Sequence, residues 1–506
     1  MSNILRLHEL DNVGICKVAL PAGTQLVTSD LRLSTDVPAL HKVALRDIGR
    51  GEAILKYGQT MGFASEAIAA GSHVHVHNCV MGDADKDYGF CSKVTPTQFV
   101  TASAQAAFRG YRRANGKVGT RNFIGILTTV NCSATVARAI AQQISFSGEL
   151  RKYPNVDGVV ALTHETGCGM SSDGEGYETL RRTFDGYARH PNFGGVLMVG
   201  LGCETMQVSR VLEESGLADN DTFCSYTIQD SGGTRVSIEK GIAAVREMLP
   251  RVNNFQRETV PASELIVGLQ CGGSDALSGV TANPALGIAG DILIRHGGTV
   301  ILSETPEIYG AEHLLTQRAA SPQIAEQLLA RIRWWEDYTA RNHVELNNNP
   351  SPGNKAGGLT TIMEKSLGAQ AKSGSTNLNA VYLYAQQIKQ KGLVFMDSPG
   401  YDPVSATGQI ASGAQIICFT TGRGSAFGCK PAPCIKLSSN TQLYERMKED
   451  IDLNCGSVLD GEISLEECGE KIFRYILKIA SGEATKSELL GYGDNEFTPW
   501  KIGATV

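Results

Sequence analysis

The sequence predicts a small all-β domain followed by α/β domains, and three observations carry that prediction. Residues 1 to 80 read as short strands broken by Gly and Pro turns, as in "ICKVALPAGTQL" and "HKVALRDIGRGEAILKYGQTMGFA", with little helical period. From Phe108 an apolar β-branched run, a polar turn and a helical stretch recur seven times, the pattern of parallel α/β layers. A chain of 506 residues is also too long for one hydrophobic core.

In chain order, the all-β unit covers 1–80. Residues 81–107 are polar, carry a proline and have no sustained apolar period, so they read as a linker. One α/β unit then covers 108–260 and a second 261–506, divided where "NFQRETVPASE" interrupts the alternation. In the first, "FIGILTTV" ends at Asn131 and Cys132, "GVVALT" at His164, Glu165, Gly167 and Cys168, and "GVLMVGL" at Gly202, Cys203 and Glu204. In the second, "LIVGL" runs into Gln270, Cys271, Gly272, Gly273, Ser274 and Asp275, "TVILS" into Glu304, "GLVFM" into Asp397, and "QIICF" into Thr420 to Gly424. Helices separate the units, for example "NPALGIAGDILIRHG" and the striped "SPQIAEQLLARIRWWEDYTARN". Ligands of parallel sheets bind outside the carboxyl ends of the strands, where all these polar residues fall.

Composition excludes several classes. A net charge of −6 without a long basic run argues against nucleic acid, and the absence of an apolar run of about 18 residues argues against a membrane span. The N-terminus lacks a cationic region followed by an apolar core, so a cytoplasmic location is expected. Thirteen cysteines without a CxxC pair do not suggest a disulfide framework. No Walker loop, GxSxG elbow or HExxH motif is present, and "VGLGCE" lacks the third glycine of a dinucleotide fingerprint.

Four constellations remain. "GSHVHVHNCV" places His73, His75 and His77 at every second position, on one face of a strand with Val74 and Val76 opposite, either a wet edge or a ligand row. "QCGGSDALSGV" and "SETPE" offer Cys271, Ser274, Asp275 and Glu304, either helix caps and a buried thiol or a divalent-cation site. "NPSPGNKAGG" presents Asn354 and Lys355 on a fixed loop, and "TTGRGS" presents Arg423; both suit a carboxylate, or are surface turns. Cys132, Cys168, Cys203 and Cys271 each end a strand, but their spacing matches no iron–sulfur ligand run, so such a cluster is not expected.

Together, "YRRANGKVGTRN", "THETGCG", "VGLGCE", "QCGGSDALSGVTANP", "NPSPGNKAGG" and "TTGRG" resemble the altronate and galactarate dehydratases, over essentially the whole chain. The resemblance implies a β-clip (SAF) domain, a middle domain used in homodimerisation, and a Rossmann-like C-terminal domain with a metal site. It implies loss of water from a sugar acid, with D-altronate favoured, galactarate as the alternative and a non-catalytic sugar-acid binding protein as a further one. The metal it implies is Fe2+, with Mn2+ or another divalent cation next; the carboxylate pair Asp275 and Glu304 at neighbouring strand ends, with Cys271 as a further ligand, is the set the residues themselves offer for it. His164 is then the general acid or base, or else a structural histidine, with Glu204 a further catalytic carboxylate. Lys355 and Arg423 would hold the substrate carboxylate. Asn354, Ser274, Arg121, His73, His75 and His77 would contact the rest of the acid.

Overall fold

The computed structural model describes residues 3–26, 31–82 and 87–505. Residues 83–86, within the 81–107 connection, lie outside the described residues. No helix among the described residues is long and apolar enough to cross a membrane.

The N-terminal unit is built from two small antiparallel sheets. One orders the strands Ile4–Leu5, Val13–Cys16, Lys42–Ala44 and His73–Val74; the other orders Ala53–Lys56, Gln59–Ala64 and Cys79–Val80. The hairpin between Lys56 and Gln59 turns on two residues, Tyr57 and Gly58, both at positive φ (62° and 68°), which matches the twist of the flanking strands. The expected histidine strand is shorter than its alternation suggests: pairing stops at Val74 and the chain turns through residues 75–78, leaving Val76 exposed rather than on an inner face. The core around Val13, Ile54, Met61 and Val74 continues into Ala311 and Leu367, so this unit is seated on the C-terminal one.

All seven expected strand units are present, four to eight residues long, in two parallel sheets. The middle sheet runs Gly158–Leu162, Phe123–Thr128, Phe193–Gly200, Phe223–Thr227. Strand alternation sends Ile124 and Ile126 to one face, under the helices Ala134–Phe146 and Thr234–Asn253, and Phe123 and Leu127 to the other, under Gly174–Ala188. Val136, Ala137, Ile140, Ala141 and Ile144 make the buried stripe of the first helix, each large residue worth about 1.5–3 kcal/mol in transfer from water.

The C-terminal sheet has seven parallel strands in the order Leu378–Tyr382, Gly392–Met396, Thr299–Leu302, Ile266–Cys271, Ile416–Thr421, Cys434–Ser438, Leu453–Asn454. In both sheets the strand that comes first in the chain lies inside, and the winding reverses at its carboxyl end: Phe123–Thr128 in one, Ile266–Cys271 in the other. Such reversals open a crevice for ligands. Between the two sheets, Arg257–Pro261 pairs antiparallel with Ala107–Arg112, so the chain leaves the middle unit beside the point where it entered.

Candidate functional site

At the reversal in the C-terminal sheet, Cys271 ends its strand and Glu304 lies two residues beyond the neighbouring strand Thr299–Leu302. Glu304 adopts a left-handed backbone (φ 68°), a strained choice for a residue without a turn glycine's freedom, and opens the 3-10 turn Thr305–Ile308. That turn swings Glu307 round to the same point. The Cys271 sulfur lies 3.2 Å from Glu307 Oε2 and 4.0 Å from Glu304 Oε2. Among the described residues this is the group whose three ligand atoms all lie within 4.8 Å of one another, and all three side chains are buried.

Two lysines brace the group. Lys372 Nζ is 2.8 Å from the Cys271 sulfur and 3.3 Å from Glu304 Oε2, and Lys365 Nζ donates to Glu307 Oε1 at 2.6 Å and to Asn349 Oδ1 at 2.6 Å. Burial, and then the like charge of Glu307, raises Glu304 to about 8 against the pull of Lys372. Glu307 is held below the usual carboxylate range: its burial is outweighed by Lys365 and Lys372. Burial pushes the Cys271 thiol well up. Glu304 Oε1 is buried without a hydrogen-bond partner, an uncommon and costly state for a carboxyl oxygen. A thiol, two crowded carboxylates and an orphaned acceptor fit a divalent cation of borderline softness.

The group floors a cleft of about 550 Å³, lined among others by Gly272, Glu307, Asn354, Lys365, Tyr401 and Asp402. Asp402 heads the helix Asp402–Ser412; burial first and Glu307 second raise it to about 7. A Cβ on Gly272 would stand 2.3 Å from Asp402 Oδ2, so glycine is required for this approach.

The structure thus brings together Cys271 and Glu304 of the expected ligands and adds Glu307, which stood unnoticed three residues after Glu304 in "SETPE". Asp275 is not among the three grouped ligand atoms: its oxygens accept from Leu277 N, Ser278 N and Oγ, Ser439 Oγ and Asn440 Nδ2, so its acceptor sites tie its own loop to the one after the strand Cys434–Ser438. Ser274 contributes its carbonyl, which receives Asn354 Nδ2 at 2.9 Å, while the Asn354 Oδ1 completes the capping box of the short helix Pro352–Ala356. Lys355 is half-buried, and its carbonyl faces His75 Nε2 at 2.9 Å. Arg423 is exposed beside the cleft, its N–H donating to Gly273 O at 3.0 Å, and a Cβ on Gly353 would lie 3.9 Å from its Nε.

The remaining candidates sit away from this group. His164 is buried in the middle unit between Phe184 and Phe497, Nε2–H donating to Thr128 O (2.9 Å) and Nδ1 accepting from Thr166 N (3.2 Å); burial lowers it to about 4, which keeps it neutral. It lines a second cleft, of about 650 Å³, which shares Tyr401 with the first. Glu204 accepts from Leu201 N, Gly202 N and Thr129 Oγ1. Arg121 is a buried clamp, paired with Glu488 (2.6 Å) and donating to the carbonyls of Thr120, Ile479 and Glu483. His73 and His75 form a ring cluster with His41, and His77 is exposed at its edge, 5.2 Å from the His73 ring; His41 Nε2 approaches Ala356 O at 3.4 Å. The histidines therefore meet the C-terminal end of the helix whose other end lines the cleft.

Sequence reasoning missed Glu307, Lys365, Lys372 and Asp402. The two lysines lie on "IMEKSLGAQAKSG", buried all round and so without an amphipathic stripe to mark a functional face.

Three family models cover the chain in order: an altronate/galactarate dehydratase SAF domain over residues 2–82, a D-galactarate dehydratase/altronate hydrolase second domain over 110–253, and a D-galactarate/altronate dehydratase C-terminal domain over 262–505. Among curated relatives, the chain is 39% identical over 487 residues to a galactarate dehydratase (L-threo-forming) of Escherichia coli (strain K12), covering 95% of this chain and 93% of that one. It is 37% identical to an altronate dehydratase of the same organism, covering 99% of each, and 34% identical to an altronate dehydratase of Bacillus subtilis (strain 168), covering 100% of each. A cation-fitting group at the sheet reversal, two α/β units and a β-clip unit in this order agree with those matches, and the chain belongs to the altronate/galactarate dehydratase family.

Proposed function

We propose that this sugar-acid hydro-lyase removes water from D-altronate to give 2-keto-3-deoxy-D-gluconate, by abstraction of the proton next to the carboxylate. The observation that carries the reading is the buried Cys271, Glu304 and Glu307 group beneath a cleft of a size suited to a six-carbon acid. The two altronate dehydratases matched over nearly the whole chain support the choice of substrate. A divalent cation held by the three residues, Fe2+ fitting best and Mn2+ next, supplies positive charge where the substrate carboxylate gains negative charge.

The chain's own side chains do the rest. Asp402 lines the cleft and titrates at about 7, so it accepts the carbon-bound proton or returns one to the departing hydroxide. Lys365 and Lys372 fix the carboxylates and the sulfur in place. Gly272 and Gly273 let the backbone approach the acid, and exposed Arg423, tied by its backbone to Gly273 of the cleft lining, grips the carboxylate through two parallel hydrogen bonds.

On this reading residues 261–506 are a Rossmann-like catalytic and metal-binding domain, and 108–260 supply a homodimer surface. Phe146 (86% exposed) and Val236 (48% exposed), on the two helices that cover one face of the middle sheet, support the dimer. Thirteen free cysteines suit a reducing cytoplasm.

Galactarate, giving 5-keto-4-deoxy-glucarate, is the second reading, favoured by the 39% match to a galactarate dehydratase. The test is an anaerobic assay with added ferrous iron against both acids and a small panel of others. Turnover of D-altronate that a chelator abolishes is the expected result. Turnover of galactarate alone would replace the substrate, and stabilisation by an acid without product would leave a binding protein.

A further inference from the structure

Of the thirteen cysteines three are exposed, Cys132, Cys168 and Cys203, and the fold carries them to one edge. They follow the strands Phe123–Thr128, Gly158–Leu162 and Phe193–Gly200, which are neighbours in the middle sheet with Phe123–Thr128 between the other two. All three strands are parallel, so the cysteines share the carboxyl edge. Cys132 stands at the point where the winding reverses, the place where parallel sheets open a crevice for a ligand. Cys271, grouped with them by sequence position, belongs to the other sheet and is buried.

The three loops are tied to one another. Asn131 N donates to Thr166 O at 3.2 Å and Asn131 Nδ2 to His164 O at 3.1 Å, joining the first loop to the second. Met206 N donates to Gly167 O at 3.0 Å, joining the second to the third. Gly167, at φ 99°, packs so closely that a Cβ would lie 2.0 Å from Thr129 O. Glu204, buried, holds Leu201 N and Gly202 N of the third loop and Thr129 Oγ1 of the first. His164 and Glu204, which have no part in the C-terminal cleft, thus fix the loops that present the thiols. Gln229 Nε2 donates to the Cys203 sulfur at 3.5 Å, the kind of contact that tunes a thiolate ligand.

Thiolates select soft metals. A single tetrahedral ion at a metal–sulfur distance of about 2.3 Å would need its sulfurs about 3.8 Å apart. Among the described residues these three sulfurs do not form a group whose members all lie within 4.8 Å of one another. A cluster spans more widely than an ion. We propose that Cys132, Cys168 and Cys203 ligate an iron–sulfur cluster of the four-iron, four-sulfide class. Three thiolates for four irons leave one iron without a protein sulfur, open to a ligand from solvent because all three cysteines are exposed. Assembly from two ferrous ions, two ferric ions and four sulfides balances the cluster in its 2+ state, each thiol releasing one proton.

The test is independent of dehydratase activity and of the cation at Cys271. The full chain is incubated anaerobically with equal amounts of ferrous and ferric iron and with sulfide, desalted, and assayed for iron, acid-labile sulfide and visible absorbance. The expected result is equal acid-labile sulfide bound to the wild type and to Cys271→Ser, with at least a tenfold loss of sulfide in the Cys132→Ser, Cys168→Ser, Cys203→Ser triple variant. As a measurement that needs no variant, loading should protect these three thiols from alkylation, read by peptide mass. No sulfide on the wild type, equal sulfide on the triple variant, or loss confined to Cys271→Ser would each overturn the proposal.

Discussion

Glu364 and Lys365 are consecutive residues of the buried helix Ile362–Gln370 and face opposite ways. Glu364 receives Lys42 and Lys56 of the N-terminal unit, each at 2.8 Å, whereas Lys365 gives its ammonium to Glu307 at 2.6 Å. One helix therefore seats the β-clip on its inner side and braces the candidate cation group on its outer side.

Glu364→Gln leaves Lys42 and Lys56, 0% and 1% exposed, without a counter-charge. Removing one partner of a buried ion pair costs about 3–5 kcal/mol. The expected outcome in urea unfolding is a loss of that order, with part of it recovered when Lys42→Met and Lys56→Met are added. Recovery matters because Glu364 also accepts from Thr360 N and Oγ1; a loss that the methionines do not relieve would assign the stability to those bonds instead.

The buried histidines should cost stability in a defined acid window. Glu304 and Asp402, raised to about 8 and about 7, oppose them and favour the fold as they take up protons, so the histidine part is read as the difference between the parent and His164→Gln. Burial lowers His164 to about 4 and His190 to about 3, whereas an unfolded histidine titrates at about 6.5. Above 6.5 both states are neutral and nothing is lost. Between 6.5 and 4 the unfolded chain binds protons that the folded chain refuses, so stability falls with pH by about 1.4 kcal/mol per unit for each histidine. Half-buried His73 and buried His75, lowered to about 4 by burial first, act in the same direction. Urea midpoints measured from pH 7.5 to 5 check this, and His164→Gln should remove one histidine's share of the slope; an unchanged slope in that variant would remove His164 from the account.

Arg121 lies within a family-like motif yet spends its guanidinium on Glu488 and three backbone carbonyls. Arg121→Met should lower the thermal midpoint by an amount equivalent to roughly 2–5 kcal/mol, since it leaves buried acceptors and a carboxylate unmatched. Assayed well below that midpoint, kcat and KM should stay within twofold of the parent. A raised KM at unchanged stability would return Arg121 to the substrate.

How far the sequence was legible follows from what each feature depends on. Strands such as Phe123–Thr128 and Ile266–Cys271 are local apolar runs, and the rule that chemistry gathers at their carboxyl ends found Cys271 and Glu304 without coordinates. Asp275 has the same local signature as Glu304, but Ser439 and Asn440, some 160 residues further along, consume its acceptors. No local pattern reports that. Likewise Lys365 and Lys372 reach the group only because a fully buried helix packs across the sheet ends, and the histidine row loses its strand at Val74 because Asn78 turns the chain, its Oδ1 taking His75 N and its Nδ2 giving to His73 O. The exposed cysteines became readable only when strand order made three of them neighbours.

Arg423 gives the sharpest test of the cleft. Its backbone is held by Gly273, its side chain stands near Gly353, and among the described residues no hydrogen bond or ion pair commits the guanidinium, so it is available to a carboxylate beside the cleft. A bidentate pair at such an exposed site is worth about 1.4 kcal/mol, a factor of ten in binding. Arg423→Ala should raise KM for the sugar acid about tenfold and change kcat much less, because the contact is made equally in the ground and transition states. Arg423→Lys should recover only part of the loss, since a single ammonium cannot reproduce the fork. Should Arg423→Ala instead lower kcat at constant KM, the residue would be acting on charge that develops during elimination, and the substrate carboxylate would have to be held elsewhere, with Lys365 and Asn354 the groups next in reach.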